Sequence, residues 1–198
     1  MIRRIVLTGG PCGGKTTAIK EVRNYFEKEG FIVLNVDETA TELINMGIKP
    51  FGDDSVSMYN FQEYVFSSQL TDENLIERYI EDNKNKNIIA LYDRCLLDNK
   101  SYVNDEEFNK LLNKFNIDIE EYMNKFDLCI HMVSAAIGTE EYTLLNNNAR
   151  IESKEEAIKK DNMILNCYKN VKSHIIADNR SNFDDKVNYV IDIIKKII

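Results

Sequence analysis

The sequence contains no tryptophan, only two prolines and only four cysteines in 198 residues. The cysteines, Cys12, Cys95, Cys129 and Cys167, lie far apart and form no C-x-x-C pair. Neither a structural metal cluster nor a disulfide framework is therefore predicted, and a reduced, cytoplasmic setting is expected.

Long hydrophobic runs are also missing. No stretch approaches the roughly 18 consecutive apolar residues of a membrane-spanning helix. The N-terminus does not resemble a secretory signal, because its short apolar run, Ile5–Leu7, leads directly into a glycine-rich stretch. With 43% hydrophobic residues and no internal repeat, the chain is expected to form one globular domain over residues 1–198, without membrane contact.

Basic residues are in deficit, with 25 Lys and Arg against 33 Asp and Glu and a formal net charge of −8. A general nucleic-acid surface requires a basic face, so no nucleic-acid partner is expected. A single site for a phosphorylated ligand does not require a basic protein.

Glycine is scarce as well, with eight residues, but four of them lie within the stretch GGPCGGKTT, Gly9 to Thr17. This stretch fits the pattern G-x-x-x-x-G-K-[ST] and lies between an apolar strand pattern and a helical pattern, which is the context of a P-loop. Glycines let the backbone amides form an anion-binding nest, and the N-terminus of the following helix favours phosphate. Lys15 adds a point charge, and the Thr16 hydroxyl is a candidate ligand of Mg²⁺. The candidate nucleotide-binding residues are Gly9, Gly10, Pro11, Cys12, Gly13, Gly14, Lys15, Thr16 and Thr17.

Five short apolar runs separated by helical patterns indicate an α/β fold, because strands of a parallel sheet are buried on both faces. A long helix is predicted over residues 57–82, and its aromatic residues Tyr59, Tyr64 and Phe66 are expected in the core. The predicted strands cover residues 3–8, 31–36, 88–92, 128–133 and 174–177.

The acidic residues considered for function follow the second and third of these strands, at the sheet edge where ligands of parallel sheets bind. Asp37 is interpreted as the N-cap of a helix, and Glu38 is the better candidate for function. Asp93 matches the carboxylate that holds Mg²⁺ opposite a P-loop, directly or through water. Its neighbour Arg94 offers a planar fork for a phosphoryl or carboxylate group. Asp98 remains open between a supporting acid and a helix cap.

Residues 134–152 lack periodicity and are interpreted as a lid. Arg150 lies in this segment and is a candidate catalytic cation, the alternative being a surface arginine. Asn179 follows the fifth strand and is a candidate contact to the base or ribose. The string N-K-x-D at Asn124–Asp127 is similar to a guanine-reading motif, but it precedes a strand instead of following one and is discounted.

The combined pattern resembles a family of AAA-like P-loop ATPases that includes the kinase-like domain of the bacterial NAD-biosynthesis regulator NadR and the TRPL translocation defect protein. This resemblance covers nearly the whole chain. It depends on GGPCGGKTT, Glu38, DRCLLDNKSY (Asp93 to Tyr102), Phe126-Asp127, Arg150, Asp178-Asn179, Phe183 and Lys186.

The resemblance implies a three-layer sandwich like that of nucleoside and nucleoside-monophosphate kinases, with a five-stranded parallel sheet in the order 2-3-1-4-5. It also implies that Glu38 accepts the proton of an acceptor hydroxyl and that Asp93 holds Mg²⁺. Arg94 would contact the acceptor or its phosphate.

We therefore expect an ATP-binding, Mg²⁺-dependent ATPase or kinase that transfers the γ-phosphoryl group to an unidentified small-molecule acceptor, nucleoside-like or another metabolite. The sequence does not separate ATP from GTP. The alternative hypothesis is a nucleotide-dependent regulatory or binding module with little turnover. Neither the acceptor nor the oligomeric state follows from the sequence.

Overall fold

The five apolar runs form one parallel sheet in a computed structural model, which describes residues 1–138 and 153–198. The strand order is β2-β3-β1-β4-β5, which confirms the predicted order. The strands are β1 (Ile2–Thr8), β2 (Ile32–Val36), β3 (Ile88–Asp93), β4 (Leu128–Met132) and β5 (His174–Ala177).

Helices connect the strands. The α-helices are α1 (Lys15–Lys28), α2 (Thr39–Asn45), α3 (Met58–Asp82), α4 (Asp105–Lys114), α5 (Ile119–Asn124), α6 (Lys154–Cys167) and α7 (Phe183–Lys195), and a 3₁₀ helix spans Leu96–Ser101. Among the helices in the described ranges, none combines the length and hydrophobicity that crossing a membrane requires.

Two hydrophobic clusters cover the two faces of the sheet. Successive side chains of a strand point to opposite faces, so Val6 belongs to one cluster and its neighbours Ile5 and Leu7 to the other. The Val6 cluster includes residues of α3 and α4, whereas the other is built with α1 and α7. The central strands are therefore covered on both sides.

The strand register brings the carboxyl ends of three strands together. Leu7 of β1 lies beside Asp93 of β3, and Thr8 lies beside His131 of β4. The loop that leaves β1 therefore emerges between the residues that follow β3 and those that follow β4, which is where a parallel sheet binds its ligands.

Two local expectations are wrong. Glu38, not Asp37, occupies the N-cap position of α2, and its side chain caps no amide because it binds Arg94 and Thr41 instead. In α3, Phe66 is fully buried as expected, but Tyr64 is 44% exposed because it lies outside the stripe that packs on the sheet.

Candidate functional site

The loop between β1 and α1 has the backbone conformation that its glycines permit. Gly9 has a φ of +132° and Gly14 a φ of +81°. A Cβ atom on Gly9 would lie 2.2 Å from the carbonyl oxygen of Met132, and one on Gly14 would lie 2.2 Å from Cε2 of Phe183. Both positions therefore require glycine, for the close packing of the loop on β4 and α7 as well as for its turns.

Each carbonyl of the loop from residue 9 to residue 14 accepts a hydrogen bond. Lys15 donates from Nζ to the carbonyls of Gly9 and Gly10 (both 3.1 Å), and the Ser134 hydroxyl donates to Pro11. The remaining donors are the Ala135 amide to Cys12 (3.1 Å), Lys186 Nζ to Gly13 (3.2 Å) and the Ala18 amide to Gly14 (2.9 Å).

The hydrogen bonds to the carbonyls of Pro11, Cys12 and Gly13 direct the amides that follow them toward the inside of the loop, whereas the Gly10 amide is bound by Asp161. In a trans peptide the C=O and N–H groups point in opposite directions, so fixing a carbonyl on the outside fixes the next amide on the inside. The bonds to Pro11, Cys12 and Gly13 orient the amides of the residues that follow them. The first amides of α1 add to this set, because a helix start leaves them without an intrahelical partner. These amides together make the loop a candidate anion-binding nest.

Lys15 is the charged group of the loop. It is only 7% exposed, and burial lowers its pKa, assisted by the positive charge of Arg94. Asp93 and Glu38 act in the opposite direction and favour its charged form. An ammonium group next to the nest suits a phosphorylated ligand.

Arg94 and Glu38 form an ion pair beside the loop. Arg94 Nε donates to Glu38 Oε1 at 2.7 Å, and Arg94 Nη1 donates to the Gly9 carbonyl at 3.0 Å. Arg94 also has a φ of +76°, a left-handed conformation that costs a non-glycine residue about 1 kcal/mol. Gln69 stabilises this conformation by donating from Nε2 to the Arg94 carbonyl at 3.3 Å. Such local strain persists only where several contacts fix the residue, and it is concentrated at functional sites.

The two carboxylates at this edge have opposite pKa shifts. Burial works to raise the pKa of Glu38, but Arg94, Lys15 and the Thr41 hydroxyl outweigh it and lower the pKa to about 2. Burial raises the pKa of Asp93 to about 6; the charge of Lys15 counteracts this shift and that of Glu38 adds to it. Glu38 is therefore ionised over the whole neutral range, whereas Asp93 is close to titration.

Thr16 and Asp93 fit a magnesium ion. The Thr16 hydroxyl donates to Asp93 Oδ2 at 3.4 Å, and Asp93 Oδ1 is buried without a hydrogen-bond partner in the described part of the chain. A buried carboxylate oxygen with no partner is costly, and a cation would satisfy it. A hydroxyl and a carboxylate are hard oxygen ligands, and Mg²⁺ commonly takes one or two from the protein and the rest from phosphates and water. Over residues 1–138 and 153–198 no cluster of three or more His, Cys, Asp or Glu side chains offers a fuller cage.

Asp98 is a buried carboxylate that holds the Arg94 guanidinium in place. Its carboxylate accepts hydrogen bonds from Arg94 Nη1 (3.3 Å), Tyr168 OH (2.6 Å), the Cys95 amide (3.0 Å) and the Thr8 hydroxyl. Of the two alternatives left open by the sequence, the supporting acid is therefore favoured, although Asp98 also caps the 3₁₀ helix through the Cys95 amide.

Asp161 of α6 is a contact that sequence reasoning missed. Its Oδ1 atom accepts from the amides of Gly10 (2.7 Å) and Ser134 (3.1 Å), and its Oδ2 atom lies 3.2 Å from His131 Nε2. Burial works to raise its pKa, but these hydrogen bonds outweigh it and lower the pKa. The available signal was its spacing, because Asp161 shares the buried stripe of α6 with Ala157 and Ile164. A charge on an apolar stripe indicates a buried partner.

Asn179 fixes the turn that follows β4. Its Nδ2 atom donates to the carbonyls of Ser134 (2.9 Å) and Ile137 (2.7 Å), and its Oδ1 atom accepts from Lys186 (3.0 Å). Its contact with a base or ribose stays a prediction. Thr17 lies exposed in the first turn of α1, and its ligand contact also stays a prediction.

The predicted lid is described only in part. Residues 134–138 form a turn against the loop, while 139–152, including Arg150, lie outside the described residues.

The N-K-x-D string has structural partners away from the loop. Lys125 Nζ donates to Glu73 Oε2 at 2.7 Å, and its ammonium lies 4.0 Å from the centre of the Tyr122 ring. Asp127 accepts from the Arg4 amide at 2.8 Å, near the start of β1. These contacts account for both charged residues without a nucleotide.

The chain is similar to known proteins over nearly its whole length. A family model described as an AAA domain matches residues 4–186. A search of curated proteins finds no match. Two solved structures of NadR are similar: a complex with NAD and AMP-PNP (TM-score 0.64, 18% identity) and a complex with NR (TM-score 0.69, 17% identity). Both cover 98% of this chain, which spans about half of the NadR chains (49% and 51%). At 17–18% identity, the similarity to these structures establishes the fold of the chain and not its activity.

The family match includes the loop, the Asp93-Arg94 pair and the start of α7. The resemblance seen in the sequence is therefore confirmed for the NadR-like fold, and the chain belongs to this AAA-domain family of P-loop proteins.

Proposed function

We propose that this protein is a Mg²⁺-dependent P-loop enzyme that transfers the γ-phosphoryl group of ATP to a hydroxyl group of a small molecule. The observation that carries the proposal is the Arg94–Glu38 ion pair, held at 2.7 Å and attached to the Gly9 carbonyl of the loop. A carboxylate and a guanidinium fixed beside a phosphate nest supply the two groups that an attacking hydroxyl and a transferred phosphoryl group require.

The nucleotide side of the reaction is mainly electrostatic. The inward amides of the loop and the Lys15 ammonium would bind the phosphates and stabilise the negative charge that develops during transfer. A magnesium ion held by Thr16 and Asp93 would supply further charge neutralisation when bound.

The acceptor side is assigned to Glu38 and Arg94. The bond between the γ-phosphorus and the bridging oxygen breaks and leaves ADP, while a new bond forms between that phosphorus and the acceptor oxygen. The hydroxyl proton passes to Glu38. A carboxylate with a pKa of about 2 is a weak base, so Glu38 orients the hydroxyl first and takes its proton only as the new bond forms. Arg94 contacts the phosphoryl oxygens or an anionic group of the acceptor.

A cavity of about 600 Å³ lined by Tyr102 is the proposed place for the acceptor. It lies between the first turns of α3, α4 and α6, and Tyr102 forms part of its wall. Tyr102 also lies close enough to Arg94 to contribute to raising the pKa of that guanidinium. The volume is that of a typical small-molecule site. Lining residues include Met58, Ser101, Tyr102, Lys159 and Lys160.

The NadR structures support the choice of nucleotide and suggest a first acceptor. One of them holds AMP-PNP and the other holds NR, nicotinamide riboside. Both NadR chains are about twice as long as this one, so their ligands need not bind to the half that this chain matches. They serve as the first compounds to test. Nicotinamide riboside and common nucleosides are therefore the first acceptors to test.

The test is a product assay. The full chain is incubated with Mg²⁺ and ATP or GTP, with each acceptor in turn, and products are identified by mass spectrometry. We expect an acceptor heavier by one phosphate together with ADP. Lys15→Ala and Glu38→Gln should lose this product, whereas Glu42→Gln, a control in the same helix as the Glu38 cap, should retain it. Product formed equally fast by Lys15→Ala would contradict the proposal, and nucleotide binding without any product would favour a binding module.

A further inference from the structure

Lys186 is a charged residue on an apolar helix face. It lies on the side of α7 that carries Val187 and Val190, and it is only 3% exposed. Lysine is almost never buried to this degree unless its ammonium group has partners. The partners of Lys186 are therefore informative about its role.

The Lys186 ammonium joins three segments of the sheet edge. It donates to the Gly13 carbonyl of the loop at 3.2 Å, to the Val133 carbonyl after β4, and to Asn179 Oδ1 after β5 at 3.0 Å. An ammonium group has three donors, so all three are used. Two of the acceptors follow β4 and β5, which lie on the same side of β1, and the third belongs to the P-loop itself.

The bond to Gly13 acts directly on the phosphate nest. Because the peptide between Gly13 and Gly14 is planar and trans, holding the Gly13 carbonyl outward holds the Gly14 amide inward. Of the side chains in the described residues, Lys186 alone donates to this carbonyl. Without it, the peptide would be free to rotate, and the nest would lose one fixed donor.

The charge of the Lys186 ammonium group interacts with charged residues around the P-loop. Burial lowers its pKa to about 8; the charge of Lys15 lowers it further, while Asp161 and Asp178 favour the charged form. These groups come from α6, the loop, and the segment after β5. The two ammonium groups of Lys15 and Lys186 therefore act on the same region of the loop from different sides.

We propose that Lys186 is a positioning residue of the phosphate-binding loop, which fixes the Gly13–Gly14 peptide and adds a second positive charge for the triphosphate. This inference rests on the proposed nucleotide binding. It assigns a function to α7, which contributes no residue to the P-loop motif.

The test compares Lys186→Met, Lys186→Arg and the wild type by fluorescence titration with a methylanthraniloyl derivative of ATP and Mg²⁺ at pH 7 and pH 9. We expect Lys186→Met to bind about tenfold more weakly at pH 7, the typical effect of losing one charged hydrogen bond. Lys186→Arg should restore most of the affinity. Lys195→Met, in the exposed last turn of the same helix, is the matched control and should bind like the wild type.

The pH dependence separates a charge effect from a packing effect. Wild-type affinity should fall from pH 7 to pH 9 as Lys186 loses its proton, and it should fall less in Lys186→Arg, because guanidinium stays charged. Any contribution of Lys15 is common to both proteins. Equal affinity of Lys186→Met and the wild type would overturn the inference while leaving the proposed function intact. If Lys186→Met does not fold, an identical pH profile for Lys186→Arg and the wild type would overturn it. Absence of binding by the wild type would overturn both.

Discussion

Two carboxylates at the ends of neighbouring strands differ in pKa by their surroundings alone. Glu38 meets Arg94 and Lys15 and has its pKa lowered to about 2, whereas burial raises the pKa of Asp93 to about 6. Pairs of acids separated in this way indicate separate roles. At the residue scale, Glu38 stays ionised and can accept a hydrogen bond from the hydroxyl of the proposed acceptor, and Asp93 has the buried carboxylate that the proposed cation requires.

The Asp93 shift predicts a pH dependence. A carboxylate must lose its proton to bind a metal ion, so Mg²⁺-dependent nucleotide binding should weaken as the pH falls below about 6. The measurement is the ratio of ATP affinities with Mg²⁺ and with EDTA at pH 5 and pH 7. We expect this ratio to decrease by about tenfold at pH 5, one pH unit below the pKa. An equal ratio at the two pH values would contradict the assignment of Asp93.

At the scale of elements, α6 and α7 act on a loop that belongs to neither. Asp161 of α6 holds the Gly10 and Ser134 amides, and Lys186 of α7 holds the Gly13 carbonyl. The conformation of the P-loop therefore depends on two helices whose contacting residues lie 151 and 173 positions later in the sequence.

The contribution of Asp161 in α6 can be measured as a change in the free energy of unfolding. Asp161→Ala leaves two buried amides and His131 Nε2 without their acceptor, so the free energy of unfolding should decrease by about 3 kcal/mol. Glu155→Ala, an exposed acid in the first turn of the same helix, should change it by less than about 0.5 kcal/mol. Urea denaturation followed by circular dichroism gives both values. Similar decreases in the free energy of unfolding for the two variants would show that Asp161 does not stabilise the loop.

Two glycines with positive φ, one in the P-loop and one after α1, allow backbone strain and steric clash to be separated. Gly9 and Gly30 both have positive φ, but a Cβ on Gly9 meets the Met132 carbonyl at 2.2 Å and one on Gly30 meets nothing within 4 Å. Gly30→Ala should therefore cost about 1 kcal/mol of unfolding free energy, from backbone strain alone. Gly9→Ala should cost about 3 kcal/mol, because the carbonyl of a packed strand cannot move away. Equal thermal stability of the two variants would refute the clash.

The sequence predicts the elements better than it predicts the contacts between them. The P-loop motif, the strand before it and the acid at the end of β3 follow from local patterns, since each depends on adjacent residues. The Arg94–Glu38 pair joins residues 56 positions apart, and the Gly10–Asp161 bond joins residues 151 positions apart. Such pairs are set by strand order. The predicted N-cap at Asp37 is wrong because α2 begins one residue later, with Glu38 at the N-cap position. The contact of Glu38 with Arg94 is a long-range contact that a local capping preference does not include.

At the scale of the whole molecule, His174 should make the fold lose stability as the pH falls below about 6.5, in the range where protonation of Asp93, whose pKa is raised, acts in the opposite direction. Burial lowers the pKa of His174 to about 4, with His131 adding to the shift. The unfolded chain binds this proton near pH 6.5, so stability decreases as the pH falls from about 6.5 to about 4. The lowered pKa of Glu38 removes further stability only below pH 4.5.

A thermal melt tests this acid dependence. Between pH 6.5 and pH 4.5, the wild type should lose about 5 °C more than His174→Gln, which has no proton to bind. Parallel pH profiles for the two proteins would show that another group determines the acid sensitivity.

The central claim is that residues 9–16 bind the phosphates of a nucleoside triphosphate with a divalent cation between Thr16 and Asp93. Isothermal titration calorimetry of the wild-type chain with ATP and Mg²⁺ tests it most directly, alongside Lys15→Ala and the exposed control Lys20→Ala. We predict one binding site in the wild type and in Lys20→Ala, and a loss of binding of at least about tenfold in Lys15→Ala. No heat with ATP or GTP at millimolar concentration, or equal binding by Lys15→Ala, would contradict the account.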